Sequence, residues 1–129
     1  MQLFKQVHHI AIIVSDYERS KHFYTQILGF SIISEYYREE RSSYKLNVEV
    51  SPNCELEIFS FANPPKRTSY PEACGLRHLA FAVEDIDIAV NYLNSHQIEC
   101  EPIRIDEYTS KKFTFFNDPD NLPIEIYQI

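Results

Sequence analysis

Residues 9–16 read HIAIIVSD, an apolar run that stops at a Ser-Asp pair, as a strand does where it enters a turn. A helical period follows. Phe23, Tyr24, Ile27 and Leu28 make one apolar stripe, Ser15 and Glu18 match an S-x-x-E capping box, and Gly29 closes the helix. Three strand-like runs come next, at 31–38, 43–50 and 54–60. The pattern then starts again. HLAFAVED at 78–85 is a second entry strand, Asp85 a second N-cap, and Ile86, Ala89, Val90 and Leu93 fall at i, i+3, i+4 and i+7. Strand runs are expected at 98–105, 111–117 and 122–128.

The two halves are copies of one unit. HIAIIVSD and HLAFAVED share His, Ala, Val and Asp at matching places. ELEIFSF at 55–61 and PIEIYQI at 123–129 close the halves, with Glu57 and Glu125 in corresponding positions. Repetition at this period predicts two supersecondary units of strand, helix and three strands. The Pro-rich and polar segment 62–75 joins repeat 1–61 to repeat 76–129 within a single domain spanning 1–129.

Side chains alternate across a strand, so each residue's face follows from its position. Ile10, Ile12 and Val14 suit packing under a helix, which turns His9, Ala11 and Ile13 to the other side. The same count places His78, Ala80 and Ala82 opposite Leu79, Phe81 and Val83. Glu55, Glu57 and Phe59 lie opposite Leu56 and Ile58; Glu125 and Tyr127 lie opposite Ile124 and Ile126. Two His and two Glu therefore share the face away from the helices. A carboxylate on an inner sheet face is costly unless it is paired or bound to a metal, and two near each other repel. A divalent cation removes both costs. The set His9, Glu57, His78 and Glu125 suits one Ni or Zn, with Co, Mn or Fe as further choices. His8 falls on the other face and reads as structural.

Composition narrows the partners. The formal net charge of -7 argues against nucleic acid, no apolar run is long enough to span a membrane, and two glycines cannot build a phosphate-binding loop. Three cysteines without C-x-x-C spacing read as free thiols, which points to the cytoplasm. The basic and tyrosine residues of YYREERSSYK and PPKRTSY, with the second-half lysines, supply candidates for an anionic small-molecule substrate: Tyr37, Arg38, Tyr44, Lys45, Arg67 and Lys112.

The stretches HIAIIVSDYERSKHFYTQILGF, ELEIF, GLRHLAFAVEDID and FFNDPDNLPIEIY resemble the vicinal oxygen chelate superfamily, and within it the glyoxalase I-like proteins of a small bacterial YaeR-like subgroup. The resemblance covers nearly the whole chain. It implies an α+β fold of two βαβββ modules forming a cupped, mixed sheet with helices on the outer face. It implies a metal held by His9, Glu57, His78 and Glu125, inside one chain or shared across a homodimer. The activity it implies is a metal-dependent lyase or isomerase. The substrate would be a small compound with vicinal oxygens, such as an aldehyde–thiol adduct, and Glu57 or Glu125 would move the proton. A thiol transferase of fosfomycin-resistance type and a non-catalytic binding module are the alternatives, and the intact quartet counts against both. Glyoxalase I carries an Arg and an Asn for glutathione where this chain has Ile13 and Phe61, which sets glutathione in question. Asn121 in DPDN stands where the family has Gly, a turn position Asn can occupy.

Overall fold

A computed structural model describes all residues, 1–129. The chain divides into two compact units, Met1–Pro65 and Lys66–Ile129, with the boundary inside the Pro-rich segment. No helix is long and apolar enough to cross a membrane.

The first unit runs β1 (His9–Val14), α1 (Tyr17–His22), a π-helical turn (Phe23–Ile27), β2 (Ser31–Arg38), β3 (Ser43–Ser51) and β4 (Cys54–Ser60). Its sheet has the order β1-β4-β3-β2, with β1 parallel to β4 and the other pairs antiparallel. Ile12 pairs with Ile58, and Ile58 with Leu46. These three, with Val14, Val48, Leu56, Phe23 and Tyr24, are buried and form the unit's core. Each contributes about 1.5–3 kcal/mol relative to an exposed side chain.

The helix starts one residue later than the capping box predicts. Asp16, in extended conformation, is the N-cap, and its Oδ1 accepts from the Arg19 amide at 3.1 Å. Ser15 stands one position too early to cap a helix whose first residue is Tyr17. Gly29 ends the helical segment at φ 79°, where a residue without Cβ is at ease.

The second unit runs β5 (Leu79–Val83), α2 (Ile86–Ser95), β6 (Arg104–Ile105), β7 (Lys112–Asn117) and β8 (Pro123–Gln128). Its sheet order, β5-β8-β7-β6, repeats that of the first unit, with β5 parallel to β8. Asp85 caps α2 by accepting from the Asp87 and Ile88 amides. Leu79, Ile86, Leu93, Phe116, Ile124 and Ile126 are its buried core.

The strand expected over 98–105 shrinks to Arg104–Ile105. Pro102 has no N–H to give the ladder. Before β6, the contact with β7 is one backbone bond, from the Glu101 amide to the Phe115 carbonyl at 2.9 Å, and the Thr114 hydroxyl donating to the Glu101 carbonyl at 2.6 Å. The fold is thus α+β, two four-stranded mixed sheets each with one helical element, built twice on the same plan.

Candidate metal centre

Each unit holds one His–Glu pair in the same register. In the first, Ala11 lies opposite Glu57 across the parallel β1–β4 pair, and His9 sits two residues before Ala11. In the second, Ala80 lies opposite Glu125 across β5–β8, and His78 sits two residues before Ala80. The small alanine leaves room for the imidazole to lean along the strand toward the carboxylate. His9 Nε2 is 3.6 Å from Glu57 Oε1, and His78 Nε2 is 3.7 Å from Glu125 Oε1. Both gaps exceed hydrogen-bond range. They are close to the edge of a tetrahedron around an ion with ligand bonds of 2.0–2.2 Å, about 3.3–3.6 Å. In neither unit do three or more His, Cys, Asp or Glu side chains gather into one metal-holding group. Each unit therefore offers two donors of imidazole and carboxylate type, the donor chemistry that borderline divalent ions prefer.

The first pair is braced on both sides. His8 Nδ1 lies 2.9 Å from His9 Nδ1, with the two rings edge to face. The tautomer in which His9 Nδ1 donates to His8 Nδ1 puts the His9 lone pair on Nε2, facing Glu57, the arrangement a metal ligand needs. On β3, Asn47 Nδ2 donates to Glu57 Oε2 and to Glu55 Oε1, each at 3.0 Å. Lys45 Nζ stands 3.7 Å from Glu57 Oε2. Burial pushes the Glu57 carboxyl up, but the Asn47 hydrogen bond and the charges of His9 and Lys45 outweigh it. The net effect holds Glu57 below the ordinary carboxylate range.

The second pair is less committed. The His78 ring packs edge to face on Phe115, and its Nδ1 is buried without a partner. Glu125 lines a cleft of about 330 Å³ with Ile105, Asp106, Glu107, Tyr108 and Phe113. The far wall is tied to the sheet by Tyr127, which bonds to Thr109 and donates to Asp106 at 3.1 Å. A larger hollow along residues 97–102 and β7 contains none of the four His and Glu side chains.

The six substrate candidates fall in three places. Arg38 and Lys45 are on the His9–Glu57 face: Lys45 pairs across strands with Phe59, and the Arg38 guanidinium carbon lies 4.8 Å from the Phe59 ring centre. Tyr37 and Tyr44 are on the helix side instead, where Tyr44 stacks on Tyr17 of α1 at 4.0 Å and Tyr37 leans on Tyr44. Lys112 also faces the helix side, 3.8 Å from Asp87 of α2. Arg67 is spent on structure: it donates to the carbonyls of Leu76 and Arg77 and to Ser69. The side chains that bare spacing did not assign to the site are His8 and Asn47. Asn47 shares its β3 face with Lys45 and Glu49, so alternation alone does not single it out.

The sequence profile of the Glyoxalase/Bleomycin resistance protein/Dioxygenase superfamily matches residues 6–126. The chain belongs to this superfamily. It is 60% identical over 124 residues to the uncharacterized protein YaeR of Escherichia coli K12, covering 96% of each chain. It is 57% identical over 126 residues to the uncharacterized protein YwkD of Bacillus subtilis 168, covering 98% of each. The crystal structure of a glyoxalase family protein from Enterococcus faecalis superposes with a TM-score of 0.92 at 48% identity, covering 98% of this chain and all of that one. Membership in the glyoxalase superfamily explains the doubled βαβββ plan, and a divalent metal is common in that superfamily. Two superfamily positions differ from the glutathione-binding pattern here: Ile13 is exposed on the site face, and Phe61 lies 6.4 Å from Phe59, ring centre to ring centre.

Proposed function

We propose that the chain is a divalent-metal-dependent lyase or isomerase of glyoxalase I type, acting on a small substrate with vicinal oxygens. The observation that carries this reading is the repeated His–Glu pair, held at 3.6 Å and 3.7 Å by the same strand register in both units. Two units built alike have no structural need for the same costly pair on the open face. His9, Glu57, His78 and Glu125 would hold Ni or Zn, with Co, Mn or Fe as substitutes. A bound divalent cation supplies electrophilic stabilisation to two adjacent substrate oxygens.

The chain's own residues divide the remaining work. Glu57 is committed: Asn47 occupies Oε2 by hydrogen bond, and Lys45 and His9 stand beside it. It is the better fixed ligand. Glu125 has no such donor and borders the cleft, so it is the better group to take a proton from one substrate carbon and return it to the next. Phe113 and Ile105 give that cleft an apolar wall beside Glu125. Ile13 and Phe61 offer no hydrogen bond to a peptide-like thiol, which favours a substrate smaller than a glutathione adduct.

A complete quartet needs one pair from each kind of unit, and the reading includes a homodimer in the cytoplasm in which such pairs meet. The experiment is metal content per chain after apo protein is incubated with an equimolar mixture of divalent ions and desalted. About one retained Ni, Zn, Co, Mn or Fe per chain supports the reading, with sedimentation reporting the dimer. A chain that retains no metal is a binding module, and the four residues are then a polar cluster.

A further inference from the structure

Two arginines in this chain lie over aromatic rings, one in each unit. Arg38, at the end of β2, places its guanidinium carbon 4.8 Å from the Phe59 ring centre and 6.0 Å from that of Phe61. Arg104, on β6, does the same over Phe113 at 5.0 Å and Phe115 at 5.7 Å. Stacking orients a planar guanidinium and strips water from one of its faces. The two differ in what stands at their edges. Arg104 is neutralised by Glu101, Nη2 to Oε1 at 3.1 Å. Arg38 has no carboxylate partner, although the chain carries 19 acidic residues and Glu39 and Glu40 follow it directly. Its Nη2 donates to the fully buried Ser43 hydroxyl at 2.8 Å, and its Nε is buried with no partner.

An immobilised, partly desolvated cation without a counter-ion is costly in an acidic protein, and the cost is removed when an oxyanion meets the terminal Nη edge of the guanidinium, since Nε is buried. The position of Arg38 says which oxyanion. Phe59 is two residues from Glu57 on the same face of β4, about 6.6 Å along the strand. Lys45 lies opposite Phe59 and adds a second positive charge between the two.

We infer that Arg38 receives an anionic group, a carboxylate or a phosphate, carried by the substrate a few bonds from the vicinal oxygens that the His9–Glu57 pair serves. The inference rests on the metal-dependent reading above and adds the substrate class: short 2-hydroxy or 2-oxo compounds with a second, terminal negative charge. Phe59 and Lys45 form the floor and flank of the anion site, and Arg104 has no such role.

Calorimetric titration of nickel-loaded protein with lactate, malate and 3-phosphoglycerate tests this. All three offer a hydroxyl beside a carboxylate, and only the latter two carry a second anion. A charge-assisted bond of this kind gives malate or 3-phosphoglycerate an advantage of about tenfold or more over lactate. Whichever of the two gains it identifies carboxylate or phosphate. Arg38→Met removes the advantage while lactate affinity and nickel content stay unchanged, and Arg104→Met leaves it intact. If Arg38→Met melts early, Arg38→Lys replaces it and shows a several-fold smaller advantage, because the ammonium cannot form the two parallel bonds. Equal affinity of wild type for all three compounds, or an advantage that survives in both Arg38 variants, overturns the inference. Failure of the wild type to hold nickel defeats the metal reading alone. Malate and 3-phosphoglycerate titrated into metal-free wild type and Arg38→Met then decide Arg38 by whether the variant binds more weakly.

Discussion

Nδ1 of His8 lies 2.9 Å from Nδ1 of His9. Only one of these nitrogens can carry the proton that joins neutral rings, and a His9 that gives its Nε2 lone pair to a metal must donate from Nδ1. His8 is then the acceptor that fixes the tautomer and the ring angle. Replacing His8 by Phe keeps a ring but removes the acceptor. The expected result is a loss of roughly 10-fold or more in nickel affinity, in the range typical of such supporting contacts. Competition with a coloured chelator measures it. His8 is exposed, so the melting temperature should hold. An unchanged affinity would show that the contact between the two histidines is incidental.

A second cluster, on the helix side, makes the first unit sensitive to acid. Glu35 accepts from Lys21 Nζ at 2.8 Å and from the Tyr17 hydroxyl. The Lys21 hydrogen bond first, and then that of Tyr17, hold the Glu35 carboxyl below its ordinary range. A carboxyl depressed in the folded state contributes stability above its unfolded pKa, near 4.3, and loses it as pH falls through the folded value. Lys21 is raised by the same contact, and so contributes below its unfolded pKa and fades at high pH. Melting temperature followed from pH 7 to pH 3 should fall further for wild type than for Glu35→Gln, which keeps an acceptor for Tyr17 without the charge. The pair is partly exposed, so the difference at neutral pH is limited to about 1 kcal/mol or less. Parallel curves would remove Glu35 as the source of acid sensitivity.

The turn before β8 depends on one buried carboxylate. Asp118 is 4% exposed, and its Oδ1 accepts from the amides of Asp120 and Leu122, each at 2.8 Å. Asp118→Ala leaves two amides without that acceptor and should cost about 1–3 kcal/mol in urea unfolding. Asp118→Asn keeps the oxygen and should recover much of it. Asn121 in the same turn has φ 64°. Glycine should be accepted there within about 0.5 kcal/mol, and Val, whose branched Cβ resists positive φ, should cost more. Equal stability of the glycine and valine variants would contradict the strained-turn account.

The faces of the four His and Glu positions were legible because alternation in β1, β4, β5 and β8 runs unbroken through them. Tyr37 and Tyr44 were named by residue type alone, with no face assigned. The register slips between Ile32 and Ser34, and a 3-10 turn at Glu39–Arg41 resets the chain before β3, so residue spacing alone does not carry the phase across. Arg38 and Lys45, one residue on from the tyrosines, take the opposite face. Asn47 was hidden for another reason: its value lies in reaching two carboxylates on β4, which requires the Asn47↔Glu57 register. The lost strand over 98–105 turns on Pro102, whose missing N–H outweighs the β-forming residues around it.

Glu57 and Glu125 occupy equivalent places in the repeat, yet their surroundings assign them different work. Asn47 and Lys45 hold Glu57, whereas Glu125 faces a cleft with His78 as its near neighbour. Glu57→Gln therefore weakens metal retention: a neutral amide is a poor ligand, and Asn47 loses a charged acceptor. Glu125→Gln removes a ligand charge and the proton carrier together. With metal in excess, Glu57→Gln should recover part of the solvent-proton exchange at the substrate carbon, followed by NMR in heavy water with a 2-oxoaldehyde–thiol adduct as substrate, whose two adjacent carbons can pass the proton between them. Glu125→Gln should recover none, a loss of about 100-fold or more for a missing general base. Equal recovery in the two variants would mean that both carboxylates are ligands only and that another group moves the proton. Greater recovery for Glu125→Gln would exchange their roles.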